Sequence, residues 1–265
     1  MTIFIFIFGL CIGSFLNVVI FRLPHGLSIV KPASHCPNCN YYLKKIDLIP
    51  ILSWLLLRAK CRNCGCRISA RYPLVELGCG VLFVICYQFT VNFEQFVFVA
   101  LFAAALLAIT MIDFDLQIIP DEILLFMGVV SILANTYAQF FSTFAIRQAY
   151  HFGIAPVPFV GWQQLVFGGA TGFGLMLLIF LLSRGGMGGG DVKFALVLGM
   201  WLGWKMVLLS LLFAFIIGGI AGIMLMLLRI KTRKDPVPFG PFMAVSALIF
   251  MLFGSQLYSW YWSLI

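Results

Sequence analysis

The chain has 265 residues, of which 63% are hydrophobic and only 10% charged, and an apolar content this high excludes a water-soluble globular domain. The net charge of +8 sits in a few connecting segments beside long apolar runs. That placement accounts for the charge by attraction to an anionic lipid leaflet and removes nucleic acid as a partner.

A bilayer core takes about 20 apolar residues per helix. Eight segments approach that length, near 2–21, 74–92, 95–112, 119–138, 163–183, 192–204, 206–228 and 240–262, the sixth being short. The fold class is therefore an all-α polytopic membrane protein with about eight transmembrane helices. The first segment lacks a basic start and a small-residue cleavage site, so it reads as a retained helix and not as a signal peptide. Lys and Arg set the orientation. Residues 22–71 hold nine of them against the single acid Asp47, and 184–193 and 229–234 hold six more, whereas the opposite connections offer only Arg147 and Lys205. The amino terminus is expected outside, with the large first loop, the 184–193 segment and the 229–239 loop facing the cytoplasm. The chain then divides into a first helix over 1–22, a cysteine-rich cytoplasmic loop over 23–72 and a membrane core over 73–265.

In chain order, Gly13, Ser14 and Asn17 near the end of the first helix suit close helix packing in lipid. The loop that follows carries Cys36-Pro37-Asn38-Cys39 and, after 21 residues, Cys61-Arg62-Asn63-Cys64. Two such pairs match a four-thiolate zinc ribbon with a spacer slightly longer than usual; a redox-active or metal-free cluster is the alternative. Four thiolates leave no open position for water, so the zinc would be structural. Disulfides seldom persist on the reducing side of a membrane. Cys66 is a candidate substitute ligand, and His35 reads as a loop residue. The apolar stretch 46–57 is expected on the membrane or under the ribbon. Cys11, Cys79 and Cys86 lie in apolar spans and read as small buried hydrophobes. Glu76 sits one turn inside the second helix, in a structural or a substrate-orienting role.

The third helix ends at Ile112-Asp113-Phe114-Asp115. Asp113 directly follows the apolar run, and Asp115, two positions on, points to another face. Pro120, Asp121 and Glu122 suit the first turn of the next helix. The outer connection 139–162, with Arg147, His151, Pro156 and Pro158, carries no motif. Gly168, Gly169, Gly172 and Gly174, and later Gly218, Gly219 and Gly222, read as helix-packing glycines. Between them lies Arg184-Gly185-Gly186-Met187-Gly188-Gly189-Gly190-Asp191-Val192-Lys193. It is either a flexible connection with Asp191 as a helix N-cap or a site where a peptide backbone meets an acid. Lys193 either pairs with a carboxylate or anchors at the lipid interface, and snorkelling is the cheaper of the two. The basic 229–234 cluster runs into a proline-rich turn, Pro236 to Pro241, on the same inner face. No internal repeat of fixed period stands out.

Two aspartates brought together share one proton, and such a pair hydrolyses a peptide without metal or covalent nucleophile. An ion-coupled transporter using the same acids and a non-catalytic zinc-bearing assembly factor are the rival readings.

Gly13-Ser14-Phe15-Leu16-Asn17-Val18, the cysteine pairs, Arg71-Tyr72-Pro73-Leu74-Val75-Glu76, Ile112-Asp113 with Ile119-Pro120-Asp121, Gly186-Met187-Gly188-Gly189-Gly190-Asp191-Val192-Lys193 and Pro238-Phe239-Gly240-Pro241 together resemble the bacterial type IV prepilin peptidases over almost the whole chain. The resemblance implies a bifunctional inner-membrane enzyme of the GxGD aspartyl protease class. It would cut the short basic leader from prepilins or type II secretion pseudopilins after a glycine. It would then methylate the new amino terminus with S-adenosylmethionine. Asp113 and Asp191 would be the catalytic pair, and Cys36, Cys39, Cys61 and Cys64 the metal ligands. Gly188 and Gly190 would offer a backbone edge to the extended substrate. The extra Cys66 and Gly189 at the variable GxGD position are small departures. No glycine-rich turn after a strand is visible for the methyl donor, and the methyl-transfer residues and oligomeric state stay open.

Overall fold

The computed structural model describes residues 1–141, 161–183, 187–232, 235 and 237–263. Arg147, His151, Pro156, Pro158, Arg184, Gly185, Gly186, Arg233, Lys234 and Pro236 lie outside the described residues. The chain forms two compact units, 1–88 and 89–265. Regular structure in the described residues is helical, apart from two isolated antiparallel bridges, His35 with Tyr42 and Lys60 with Arg67.

The first unit is built on two helices, α1 (Thr2–Arg22) and α3 (Arg71–Gln88). The short α2 (Leu52–Leu56) lies between them in the chain. The buried stripe of α1, Ile5, Gly9, Gly13, Leu16 and Ile20, repeats at helical spacing and faces α3. Glycine is required along it: a methyl group at Gly13 would lie 2.7 Å from Cα of Glu76, and one at Gly9 2.8 Å from Cα of Gly80. Contact this close is how helices associate in lipid, where water supplies no drive to do so. Asn17 adds a hydrogen bond from its amide to the Tyr72 carbonyl, 3.1 Å. Cys79 and Cys86 are fully buried, as expected, but Cys11 is exposed because it falls off the α3-facing stripe.

Glu76 settles into a structural position. Its Oε2 accepts the backbone N–H of Ile51 at 2.8 Å, and Ile51 holds a φ of +60°, strained for a β-branched residue. The carboxylate thus fixes the turn that starts α2. In α2 itself Leu52, Leu55 and Leu56 are exposed, while the Trp54 indole donates to the Ile68 carbonyl at 3.1 Å and ties the helix to the cysteine hairpins.

The second unit comprises α4 (Phe93–Leu116), α5 (Asp121–Phe141), α6 (Trp162–Leu182), α7 (Gly189–Leu227) and α8 (Gly240–Ser263). Asn92 starts α4 by accepting the Gln95 N–H at 2.9 Å. The sixth and seventh expected spans join in α7, but the helix breaks at Gly203, where φ is +74° and ψ 170°, angles open only to glycine. Before the break, α7 packs on α6 through glycines: side chains at Gly168, Gly172 or Gly199 would run into the opposite helix backbone. Gly174, Gly219 and Gly222, also expected to pack, face open space.

Trp201 closes the core of this unit. It is fully buried, its ring lies 4.6 Å from that of Phe102 on α4, and its N–H donates to the Met127 carbonyl of α5 at 3.0 Å. Beyond Gly203, Ser210 and Ser246 hydrogen-bond across α7 and α8 at 3.0 Å. Five helices are long and apolar enough to cross a membrane, Thr2–His25, Phe93–Leu116, Asp121–Ala138, Trp162–Leu182 and Gly189–Leu227, with a shorter apolar helix at Gly240–Gly254. Counting α7 as two segments about Gly203, each of the eight expected spans is a helix.

Candidate active site

Three helix ends of the second unit converge. Asp113 lies in the last turn of α4, 5% exposed, while Asp115 is exposed, so the helix period separates the two acids as expected. Asp113 Oδ2 accepts the backbone N–H of Gly240, the first residue of α8, at 2.9 Å. A methyl group on Gly240 would sit 2.7 Å from that same oxygen.

Asp191 comes from the start of α7. The N-cap is Gly188, in extended conformation, and Asp191 is the third helical residue, so it is not itself the N-cap. None of Gly188, Gly189 and Gly190 has a positive φ; what matters there is the missing side chain. A methyl at Gly190 would lie 3.3 Å from Cβ of Ile119, which belongs to the α4–α5 connection. The segment after Asp113 therefore lies directly on the residue before Asp191. The charge of Asp113 acts on the Asp191 carboxylate. A second tie runs between the same segments, because Lys193 Nζ reaches both carboxylate oxygens of Asp121 at 2.9 and 2.7 Å. Lys193 is thus an ion-pair partner, the costlier of its two expected roles. With both side chains more than half exposed, the pair adds little stability.

The second candidate centre lies in the first unit. The Sγ atoms of Cys36, Cys39, Cys61 and Cys64 all fall within 4.8 Å of one another, with Cys36–Cys64 at 3.9 Å and Cys39–Cys61 at 4.0 Å. Thiolates about 2.3 Å from a tetrahedral zinc would stand about 3.8 Å apart, so the cluster fits the ion and can bind a metal.

Its scaffold is a repeat that the sequence conceals. Residues 34–43 and 59–68 form the same hairpin at a constant offset. Cys36 N–H donates to Tyr41 and Cys61 N–H to Cys66; Asn40 N–H donates to Cys36 and Gly65 N–H to Cys61; Leu43 N–H donates to Ser34 and Ile68 N–H to Ala59, at 2.7 to 3.0 Å. The left-handed positions also correspond, Asn40 at +53° and Gly65 at +70°. Each hairpin caps the second cysteine of the other's Cys-x-x-Cys pair: Asn38 donates to Cys64 Sγ at 3.6 Å, and Asn63 donates to Cys39 Sγ at 3.7 Å. Beyond the cysteines themselves, only Asn38 and Asn63 are identical between the two hairpins, which is why no repeat stood out.

In this scheme Cys66 is the counterpart of Tyr41, an inter-strand position; its Sγ lies 3.5 Å from Cys36 Sγ but outside the group of four sulfurs. Its thiol is pushed up to about 12 by hydrogen bonds with Cys64 and Cys36 and by burial, whereas the Cys66 backbone N–H and the Asn38 amide draw Cys64 down to about 6. Cys64 is then a thiolate at neutral pH, the form a metal requires.

Asp47 supports the second hairpin. Its Oδ1 accepts from Arg62 Nε at 2.9 Å and Nη2 at 2.6 Å, and its Oδ2 accepts the Lys44 N–H at 3.2 Å. The Arg62 guanidinium holds the Asp47 carboxyl below the usual carboxylate range. A lowered pKa contributes stability above the ordinary value, and that contribution is lost as pH falls through the lowered one. Asp47→Asn is therefore expected to weaken metal retention about 10-fold at neutral pH, measured by competition with a chelator. The difference from wild type should close below about pH 4.

With this geometry established, comparison with known proteins is informative. Residues 7–90 match the Bacterial Peptidase A24 N-terminal domain, and residues 100–223 match the Type IV leader peptidase family. A protein of Aeromonas salmonicida (strain A449) named prepilin leader peptidase/N-methyltransferase is 33% identical, over 98% of this chain and 94% of its own. The chain belongs to the type IV leader peptidase family.

Another of its relatives, a Bacillus subtilis (strain 168) protein of the same name, is 34% identical over 97% of this chain and 96% of its own. No solved structure matches. As a type IV leader peptidase the protein is a multi-pass bacterial membrane enzyme of the A24 peptidases. The acid pair, the glycines before Asp191 and the four cysteines were all visible in its sequence. Gly240 and Ile119 stood in motifs quoted for the resemblance, but their contacts with the acidic segments were not visible. Gly240 acts through a backbone N–H that every residue but proline carries, so only its place in the Pro238–Pro241 turn drew attention, and Ile119 looks like any apolar residue.

Proposed function

We propose that the protein cleaves the leader of prepilins, and of type II secretion pseudopilins, at the cytoplasmic face of the inner membrane, with Asp113 and Asp191 as its catalytic pair, and then N-methylates the new amino terminus. The observation that carries this reading is the convergence of two carboxylates from remote helix ends beside a segment without side chains. One shared proton divides the labour. The ionised carboxylate takes a proton from water, whose oxygen attacks the scissile carbonyl carbon. The protonated carboxyl donates to the carbonyl oxygen. Collapse of the tetrahedral intermediate breaks the C–N bond, and the departing amine takes up the proton held by the first acid.

Substrate geometry agrees. The excess of Lys and Arg in 22–71, 184–193 and 229–234 over the opposite connections supports an inward-facing site. A prepilin anchored by its own apolar helix, with its basic leader kept inside by the same rule, presents its cleavage point at that boundary. The extended backbone of Gly188 is a suitable edge for the substrate chain. Zinc held by Cys36, Cys39, Cys61 and Cys64 would be structural, since four thiolates leave no position for water. Methylation needs a methyl donor, which the relatives' name, N-methyltransferase, supports without specifying, and S-adenosylmethionine is the donor in this reading. Among the described residues no strand leads through a glycine turn into a helix, and we assign no residues to it.

The reading is tested with the purified protein in lipid vesicles and a full-length prepilin. Mass spectrometry should find the leader removed and one methyl gained at the new amino terminus. Uptake of an ion dependent on Asp113 and Asp191, with an uncut precursor, would favour a transporter instead. Gly190→Val is expected to abolish cleavage while the protein still accumulates in the membrane, because the added branches press on Ile119 and part the two acidic segments. Normal turnover by that variant would remove the glycine loop from the site.

A further inference from the structure

The start of α8 has no part in the pair chemistry above, yet it makes a direct backbone hydrogen bond to Asp113. Gly240 N–H is one of the unpaired donors at the beginning of a helix, and it ends on Asp113 Oδ2 at 2.9 Å in a buried bond. The turn before it is held in place from the far half of α7. The Phe239 ring stacks on Phe215 at 4.8 Å, and a methyl at Gly218 would meet the Phe242 ring at 3.2 Å and the Phe239 ring at 3.5 Å. The ring seat fixes the turn, the turn aims the N–H, and the N–H fixes one oxygen of the carboxylate. A side chain at residue 240 would push aside the oxygen being held, since its first carbon would stand 2.7 Å from it.

We infer that Gly240 is a positioning residue of the peptidase, the third arm of its site, which orients Asp113 so that its free oxygen faces Asp191 and the substrate. This rests on the reading of Asp113 and Asp191 as the catalytic pair. A carboxylate with one oxygen tied to a rigid helix end keeps its other oxygen in a single direction, and misplacement of a reacting group by about 1 Å costs on the order of 10²-fold in rate.

The test uses the full-length protein in lipid vesicles, with prepilin cleavage measured as kcat and KM across pH, alongside thermal stability. Gly240→Ala should lower kcat about 10²-fold with KM within about 2-fold, and should displace one limb of the pH profile, since the methyl disturbs a titrating group. Gly254→Ala is the matched control in the same helix. Its methyl would meet the flexible Met206 thioether at 3.1 Å, far along α8 from Asp113, and it should cleave at the wild-type rate. A Gly240→Ala variant with wild-type kcat and pH profile overturns the inference, and so does equal loss in both glycine variants in step with thermal stability. If Gly240→Ala fails to accumulate, Phe239→Leu decides. It keeps the N–H but loosens the turn, and is expected to lower kcat about 10-fold and move the same limb; unchanged kcat overturns the inference. Asp113→Asn, run in parallel, separates the two levels. If it is inactive while Gly240→Ala is normal, only the positioning role fails. If it is active, the pair itself is wrong.

Discussion

Asp113→Asn and Asp191→Asn are each expected to leave a prepilin at full length, with cleavage slowed at least about 10³-fold. An amide has the shape of the carboxylic acid but neither accepts water's proton nor shares one with its partner, so a single replacement removes both functions of the pair. Asp115→Asn is the appropriate comparison. Asp115 is exposed, two residues along the same helix on another face, and its variant should cut at nearly the wild-type rate. Separation of precursor and product on a gel, followed by amino-terminal sequencing, measures all three. Cleavage at the ordinary rate by either the Asp113 or the Asp191 variant would show that the acid is not catalytic.

Removing the metal ligands should have an effect of comparable size, but on structure. The two cysteine hairpins contain few apolar side chains, and isolated bridges, not sheets, are their only strand pairing. Their order is expected to depend on a metal held by the shared cysteine cluster. Structural zinc contributes about 10–16 kcal/mol of apparent binding free energy in zinc-finger peptides near neutral pH. Cys36→Ser combined with Cys61→Ser removes one ligand from each hairpin and is expected to abolish bound zinc, measured by elemental analysis, and to open 34–68 to protease. The α1–α3 pair should survive, because its contact runs through Gly9, Gly13, Leu16 and Glu76, which owe nothing to the metal. Cys66→Ser should retain zinc, since Cys66 occupies the position that Tyr41 fills in the other hairpin. Unchanged zinc content in the double variant would rule out the four-cysteine centre.

The helices were legible because hydropathy is a local property: a run of about 20 apolar residues is a span wherever it lies. The break at Gly203 was legible only as a short sixth span. A glycine within an apolar run looks the same whether it packs, as Gly168 and Gly172 do, faces open space, as Gly174 and Gly222 do, or breaks the helix. The role of Lys193 stayed open for a related reason: snorkelling to the interface is available to any lysine near a helix end, and Asp121 as its partner appears only when α5 and α7 are side by side.

Composition, charge asymmetry and short-range spacing determined, without any coordinates, that this is a multi-span membrane protein with two paired cysteine motifs and two acids in sequence contexts that mark them. These features are written within a few residues of one another, so each stretch carries its own signal. The tertiary structure alone decided that Glu76 holds the Ile51 turn, that Cys66 aligns with Tyr41, that the cysteine loop is a doubled hairpin, and that Gly240 reaches Asp113. Each of those depends on a backbone group or a missing side chain meeting a distant segment. Backbone N–H groups are the same in nearly every residue, so only packing reveals which one finds which oxygen.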